Sequence, residues 1–597
     1  MEEKATEAES SKSASSTKEA DVAHQSVAKS LFLGQIVENL VFPFPKIEEE
    51  ESETLQMVVD SVSKFLKSHA DDFAKYDEQA FQPEEYIQEL RELGLFGLII
   101  PEEYGGIGLS NSAYSRVIQE SSKHDASTSL TVGAHSSIGM KALLLFGTDE
   151  QKKKYLPPLA SGEMIASFCL TEAGSGSDAA SIKTKAVKQK DGTWVLNGEK
   201  IWITNGAFAD FFTVFARTDS ENGKISAFIV EKAYEGVSSG PKEDKLGIRS
   251  SATTTISFEN VKLPADSLLG EEGKGFKVSM AVLNNGRTGL GGGCVGGIKT
   301  CISRASAQAL DRKQFDQPIA SFGLIKEKIA QMTVDCFAAE SIVSLVGHLI
   351  DSGSEDYSIE AAISKVYCSE AMWSAAMEAL QVAGGNGYMK EYPYERTLRD
   401  CRINMIFEGT NEILRLYIAL SGMKDAGNYL KDVSKSVGKI FNDPIKGFGV
   451  LSSYATNRFS QLTSIGGDKI SLVDDLLADE AAIYERATLG LARASEMLLK
   501  RHGKAIIDKQ FAMKRVADVA IDITVGLSTL SRVTSLIAEK GAKASEQEIS
   551  IVKIFAKQAN RRIAQNLRRV EKGNEDEALK ELADFIYEQG GYPWDTI

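Results

Sequence analysis

Lys185-Ala186-Val187-Lys188-Gln189-Lys190-Asp191-Gly192-Thr193-Trp194-Val195-Leu196 sets two short runs carrying β-branched and aromatic residues on either side of an Asp-Gly pair. That is the pattern of two half-buried strands joined by a tight turn. The same grammar recurs at Phe211–Ala216, Ser226–Val230 and Thr253–Phe258, and Asn197-Gly198 offers a second turn dipeptide. The region from Ile165 to about Leu269 is therefore expected to be a β insert of about 100 residues. On both sides the period changes. Upstream, Leu55, Val58, Val59, Val62, Phe65 and Leu66 recur at helical spacing, followed by Ile87, Leu90, Leu93 and Leu95, until Pro101 and Gly105-Gly106 break the pattern. Downstream, helical periodicity resumes near Gly275, runs to about Met423, and starts again near Ser471. In that last block one helix is expected to stop at Lys500-Arg501-His502-Gly503, and another to start from Ser545-Glu546-Gln547-Glu548 as a capping box. The order helical, β, helical, extra helical gives an α+β fold, mainly α.

The 597 residues suggest about four domains at roughly 150 residues each. Apolar residues at 43% and charged residues at 25% are ordinary globular values. With 68 Lys and Arg against 83 Asp and Glu, the net charge of −15 argues against a general nucleic-acid binder, which needs a basic face. The six cysteines (Cys169, Cys294, Cys301, Cys336, Cys368 and Cys401) include no C-x-x-C pair, so neither a disulfide framework nor a thiolate zinc site is expected, and a reducing compartment fits. No run approaches 18 consecutive apolar residues. Residues 1–25, rich in Glu, Ser and Ala, read as a disordered tail, with neither the apolar stretch of a secretory signal nor the Arg-rich amphipathicity of a transit peptide. The expected location is the bacterial cytoplasm, or a mitochondrion if a transit peptide is missing from this chain. The expected domains are 26–164 (helical), 165–272 (β), 273–424 (helical bundle), 425–470 (linker) and 471–597 (extra helical). Within the linker, 433–465 carries Lys435, Lys439, Lys446 and Arg458 against Asp443 alone, with Val437, Ile440, Phe441, Ile445, Phe448 and Leu451 on one helical face. It reads either as a linker with apolar anchors or as a segment lying on the inner face of an anionic membrane.

Three local patterns suggest chemistry. Thr171-Glu172-Ala173-Gly174-Ser175-Gly176-Ser177-Asp178 is a loop of small residues and hydroxyls that a ligand can approach closely. In Lys200-Ile201-Trp202-Ile203-Thr204-Asn205-Gly206, Trp202 and Thr204 fall on one strand face, offering a flat ring a stacking wall and a hydroxyl. In Met405-Ile406-Phe407-Glu408-Gly409-Thr410-Asn411, Glu408 stands between apolar residues and a glycine, where desolvation would make it a better proton acceptor; the alternative is a solvated helix-capping carboxylate. Gly289, Gly291, Gly292, Gly293, Gly296 and Gly297 contain a formal G-x-G-x-x-G, with Asp311 beyond it. A dinucleotide fingerprint must follow a strand, whereas Phe276 to Leu283 reads as helix. These glycines are expected instead to let a helix approach a bulky ligand or another helix, each at a cost of about 1 kcal/mol in propensity. His124 and His135 lack metal-ligand spacing and read as structural, and no metal is expected.

Thr171–Asp178, Trp202 to Gly206, Arg312-Lys313-Gln314-Phe315, Gln381 to Gly387, Arg399-Asp400 and Phe407–Arg415, in this order, resemble the acyl-CoA dehydrogenase family, most of all its very-long-chain branch. The resemblance runs over about residues 30–597 and includes Leu283-Asn284-Asn285-Gly286-Arg287 and the extra C-terminal block. It implies an acyl-CoA dehydrogenase-like fold: an N-terminal helical domain, a middle β-barrel domain, a C-terminal helical bundle and an added helical domain. It also implies an FAD flavoprotein that oxidises long or very-long-chain fatty acyl-CoA to the trans-2-enoyl thioester in fatty acid β-oxidation and hands electrons to an electron-transferring flavoprotein. On that resemblance Glu408 removes the α-proton while the β-hydrogen leaves as hydride to flavin N5, with the thioester carbonyl polarised by the Glu408 N–H and a flavin ribityl hydroxyl. Thr171, Ser177, Trp202 and Thr204 would contact the flavin, and Phe168, Gly176, Thr410 and Glu412 would also belong to the cofactor site. Arg312, Phe315, Gln381 and Gly385 would hold the pyrophosphate and adenosine portion of a neighbouring subunit's FAD. Ser177, Asn284, Arg287, Glu408 and Gly409 would line the substrate side. Some branches carry the base at the position of Gly286, which leaves Glu408 as the matching one here. Gly133 would deepen an acyl channel, and the added domain implies a homodimer. Two rivals remain: an acyl-CoA oxidase, and a non-enzymatic assembly protein that keeps the flavin fold.

Overall fold

The computed structural model describes residues 26–218, 224–439 and 469–596. The chain forms two compact units, one built from Phe44–Ile413 and the other from Gln25–Pro43 together with Leu414–Ile597.

In the first unit the β insert is one eight-stranded sheet: β1 (Ala166–Cys169), β2 (Lys185–Lys188), β3 (Trp194–Thr204), β4 (Phe211–Arg217), β5 (Ile225–Glu231), β6 (Val237–Lys242), β7 (Thr253–Leu263) and β8 (Leu268–Leu269). The order is β6-β7-β3-β2-β4-β5-β8, with β1 also paired to β4. Neighbours are antiparallel except β1 and β2, which both run parallel to β4. The continuous apolar runs of β4 and β5 follow from burial on both faces. Phe211, Phe215, Ala227 and Ile229 pack with Leu143, Leu156, Val278 and Val282 of the helices, whereas Phe212, Val214, Phe228 and Val230 pack with Trp194, Leu196 and Ile256 inside the sheet. Asp191-Gly192 does make the β2–β3 turn, with Gly192 at φ +88°. Asn197-Gly198 is not a turn. β3 runs through it, the pairing with β7 slipping between Leu196 and Gly198, and the Asn197 side chain accepts the Asn260 N–H at 2.8 Å. The dipeptide makes a bulge because both flanks still have β7 to pair with.

Long helices cover Gly275–Asp311, Gly323–Asp351 and Ser358–Ala383, with Asn111–His124 from the N-terminal region. The glycine-rich run lies inside Gly275–Asp311, so the dinucleotide reading is excluded and the close-approach reading holds. A Cβ at Gly296 would stand 2.1 Å from the Gln119 carbonyl oxygen and one at Gly292 2.7 Å from that of Ser115; one at Gly291 would meet Val343 at 2.8 Å. Helix Asn111–His124 is capped by Ser110 and by Asp351, whose carboxylate accepts from the backbone and side chains of both Asn111 and Ser112 at 2.7–2.9 Å.

The second unit stacks helices Ala478–His502, Gln510–Lys540 and Glu546–Arg568. Its N-terminal contribution is the short helix Val27–Phe32, capped by Ser26 and buried through Val27, Leu31 and Phe32. Residues 26–43 were expected in the N-terminal helical domain; their burial against the C-terminal helices assigns them here instead. The helix Asn411–Lys439 also runs well into the expected linker. The stop at Gly503 occurs as expected, with φ +53°. The capping box at Ser545 does not form. Ser545 closes a 3₁₀ turn in near-helical conformation, its hydroxyl is buried without a partner, and Glu548 pairs with Lys540 at 2.7 Å. Gly323–Asp351 and Gln510–Lys540 are long and apolar enough to cross a bilayer, but the apolar windows are 56% and 78% buried within the fold, which makes these core helices. The expected tail 1–25, residues 440–465 and the side chains of 433–439 lie outside the described residues.

Candidate active site

Glu408 lies between a 3₁₀ turn, Arg402–Met405, and the helix that starts at Asn411. It sits at φ +55° and is followed by Gly409 at φ +93°. A left-handed glutamate is costly and persists only where its surroundings hold it. They do so from two helices. On Gly275–Asp311, Arg287 is anchored to Asn284 Oδ1 at 2.6 Å and donates to the Glu408 carbonyl at 3.3 and 3.4 Å. On Ser358–Ala383, the fully buried Lys365 donates through Nζ to Gly409 O and Asn411 Oδ1, both at 2.8 Å. The Asn411 amide passes this on to Ser369 and Glu370 at 3.0 and 3.1 Å, and Thr410 Oγ1 accepts the Ile413 N–H at 3.3 Å.

Glu408 is half-buried as a residue, but its carboxylate lies inside the fold. Its Oε2 is buried with no hydrogen-bond partner. Burial pushes its pKa up to about 6, while the positive charges of Arg287 and Lys365 oppose that rise. The solvated-cap alternative is thereby rejected. Gly286 lies beside the carboxylate: a Cβ there would stand 3.8 Å from Glu408 Oε1 and 2.9 Å from Ile138. Tyr114 Oη, also buried without a hydrogen-bond partner, lies 3.9 Å from the Cβ positions of both Gly133 and Gly289. The neighbouring Ala134–Gly139 is a π-helical turn, a widening found frequently at functional sites.

The Thr171–Asp178 loop is clamped onto β3. Glu172 accepts the N–H groups of Lys183 and Thr184 at 2.5 and 3.0 Å and pairs with the buried Lys200 at 2.8 Å; Lys200 also donates to Leu170 O at 3.0 Å. The Thr171 carbonyl accepts from Ile201 at 2.9 Å. Trp202 stands out from this strand at φ +57°, 63% exposed, beside a second slip in the β3–β7 pairing. Ile203 is buried and Thr204 half-buried, its carbonyl taken by Ser167 Oγ at 2.8 Å. The Phe168 ring packs tilted against Phe215, with ring centroids 5.0 Å apart. Around Gly174 and Gly176 nothing lies within 4 Å of where a Cβ would be, and Ser177 is exposed. A large indole held off the strand beside an open loop of hydroxyls and backbone amides fits a flat, polar-edged ring such as a flavin.

The structure thus joins Asn284, Arg287, Glu408 and Gly409 by direct bonds, and ties Thr171 to the strand of Trp202 and Thr204. Arg312, Gln381 and Gly385 lie at helix ends, Phe315 in the turn between the short strands Lys313–Gln314 and Gln317–Pro318, and Glu412 in the first turn of the helix after the Glu408 loop; all are exposed, Phe315 by 86%. His135 is structural: Nδ1 accepts the Ala166 N–H at 2.9 Å, and burial lowers its pKa to about 4. His124 bonds to Glu120 on its own helix at 3.3 Å. Sequence reasoning passed over Lys365, Lys200, Glu172 as a clamp, and Tyr114. The first two carried a signal, since each is a lone lysine at a position whose period points inward.

Family sequence models match the N-terminal domain of acyl-CoA dehydrogenase over residues 52–163, its middle domain over 167–261 and its C-terminal domain over 273–423. The model for the ACAD9/ACADV C-terminal domain matches 475–592. The chain is 41% identical to the human very long-chain specific acyl-CoA dehydrogenase, mitochondrial, over 96% of its own length and 89% of that protein. It is 37% identical to a probable acyl-CoA dehydrogenase of Bacillus subtilis, over 88% of each. Among solved structures, an acyl-CoA dehydrogenase complexed with FAD from Bacillus anthracis superposes with a TM-score of 0.78 at 34% identity, over 91% of each chain.

Proposed function

The chain belongs to the acyl-CoA dehydrogenase family, and from that premise we infer an FAD-dependent dehydrogenase of long to very long fatty acyl-CoA with Glu408 as its base. The observation that carries the assignment is the enclosed carboxylate of Glu408, with an oxygen left unpaired. Bound FAD supplies the acceptor for the β-hydrogen and its electron pair. The chain's own residues do the rest. Glu408 takes the α-proton, leaving the 2,3-double bond. Its backbone N–H, engaged by no hydrogen bond among the described residues, is free to polarise the thioester carbonyl and so acidify that proton. Arg287 and Lys365 hold the loop on either side of the base. Trp202, Thr171, Thr204 and Ser177 hold the flavin ring, and Asn284 and Arg287 face the CoA side.

Long-chain preference is supported by the very-long-chain relatives. The exposed Arg312, Phe315, Gln381 and Gly385 suit FAD of a second subunit, hence a homodimer, and an electron-transferring flavoprotein is the acceptor the family suggests. The stretch 433–465 supports peripheral contact with an anionic bilayer; co-sedimentation of a deletion variant with vesicles checks this. The relatives carry mitochondrial and bacterial names, and buried cysteines that form no disulfide among the described residues suit a reducing compartment of either kind. The bacterial cytoplasm is our reading, which fractionation tests.

Glu408→Gln decides the function. The variant should stay yellow and bind acyl-CoA, but flavin bleaching on mixing with palmitoyl-CoA should slow by about 10²–10⁴-fold, the usual worth of a general base. Bleaching at the wild-type rate rejects the assignment, and sustained peroxide formation by the wild type would point to an oxidase.

A further inference from the structure

Lys365 is an unusual residue to find on the Ser358–Ala383 helix. It is wholly buried beside Ile359, Ala362, Ile363, Val366 and Cys368, with Glu360, Ser364 and Ser369 as further buried polar residues on the same helix. Burying an ammonium is expensive unless its charge or its protons are put to use. Its two acceptors are neutral oxygens, the carbonyl of Gly409 and the side-chain oxygen of Asn411, both at 2.8 Å. They flank Thr410, in the loop that begins with the base. We propose that Lys365 is a positioning residue that both locks the Glu408–Asn411 loop and, by its positive charge, keeps Glu408 ionised in its dry site.

This proposal rests on Glu408 being the base. The groups around that carboxylate divide by element. Arg287 and Cys294 face it from the Gly275–Asp311 helix, Lys365 from Ser358–Ala383, and Tyr114 from Asn111–His124. Cys294 and Tyr114 are pushed towards their neutral forms by burial, which leaves Arg287 and Lys365 as the positive charges. Arg287 is already spent on Asn284 and the Glu408 carbonyl. Lys365 in turn faces Glu408, Cys294, Arg287 and Glu370. Burial outweighs the opposing charge of Glu408 and lowers the Lys365 pKa to about 8, which still leaves the side chain mostly cationic at neutral pH.

The test uses the full-length, FAD-loaded enzyme and follows flavin bleaching by palmitoyl-CoA between about pH 5 and 9. Lys365→Gln keeps a donor for Gly409 but removes the charge. It should move the acidic limb of the rate profile upward by about one pH unit, which corresponds to a tenfold rate loss at pH values below the limb and little loss well above it. Lys365→Arg keeps the charge and should leave the limb in place even if its maximal rate is lower. A Gln variant that holds FAD with an unshifted limb overturns the proposal. If the Gln variant takes up no FAD, the Arg variant decides: a limb at the wild-type pH supports the proposal and a raised limb overturns it. Failure of the underlying reading looks different, because Glu408→Gln would then bleach normally.

Discussion

At the scale of single residues, Glu408 was legible as a candidate, since an acid wedged between Phe407 and Gly409 is an odd surface carboxylate, but its proposed role as base came from the family resemblance. Its setting was not legible. The ammonium that secures Gly409 comes from 44 positions earlier in the chain, a separation no local pattern encodes. The pKa of Glu408, raised to about 6, has a direct consequence. Only the ionised form accepts a proton, so the bleaching rate should be flat above about pH 7 and fall tenfold per pH unit well below pH 6. A stopped-flow pH series checks this. A limb at the ordinary carboxylate value near pH 4 would mean that the site is wetter than its geometry implies.

At the scale of elements, identical turn chemistry had two outcomes. Asp191-Gly192 turns because no partner strand runs alongside it, whereas Asn197-Gly198 bulges because β7 continues past it. Ser545 failed as a cap for a similar reason, since the preceding 3₁₀ turn enters the helix without the extended residue that a capping box requires. The glycine helix was the opposite case: its composition alone signalled close packing. Gly296→Ala sharpens this. Helix propensity favours alanine by about 1 kcal/mol, yet the added methyl would sit 2.1 Å from the Gln119 carbonyl oxygen, which cannot swing aside. The clash should win, with a net loss of about 1–3 kcal/mol in urea unfolding. A stabilised variant would show that the helices can separate freely.

At the scale of the whole molecule, the succession of helical, β and helical regions was readable from period alone, because amphipathic repeats are set by which face is buried. The membership of residues 26–43 was not, since a short apolar helix fits any core. Here Phe32 lies under Gly422, where a Cβ would stand 2.3 Å from the ring. Phe32→Ala should therefore cost the C-terminal unit about 3–5 kcal/mol, read as an earlier urea transition. Light scattering should give twice the 64.8 kDa chain mass; a tetramer would mean that the added helices do not block higher assembly.

That early helix also sets a timetable for biosynthesis. Val27, Leu31 and Phe32 leave the ribosome hundreds of residues ahead of the partners that cover them, in Ala478–His502 and Gln510–Lys540. At roughly 5–20 residues per second, this apolar helix waits on the order of half a minute to two minutes for its cover. A nascent chain of this protein must be shielded throughout that interval, so its yield in a cell depends on holdase supply more than its finished stability would suggest.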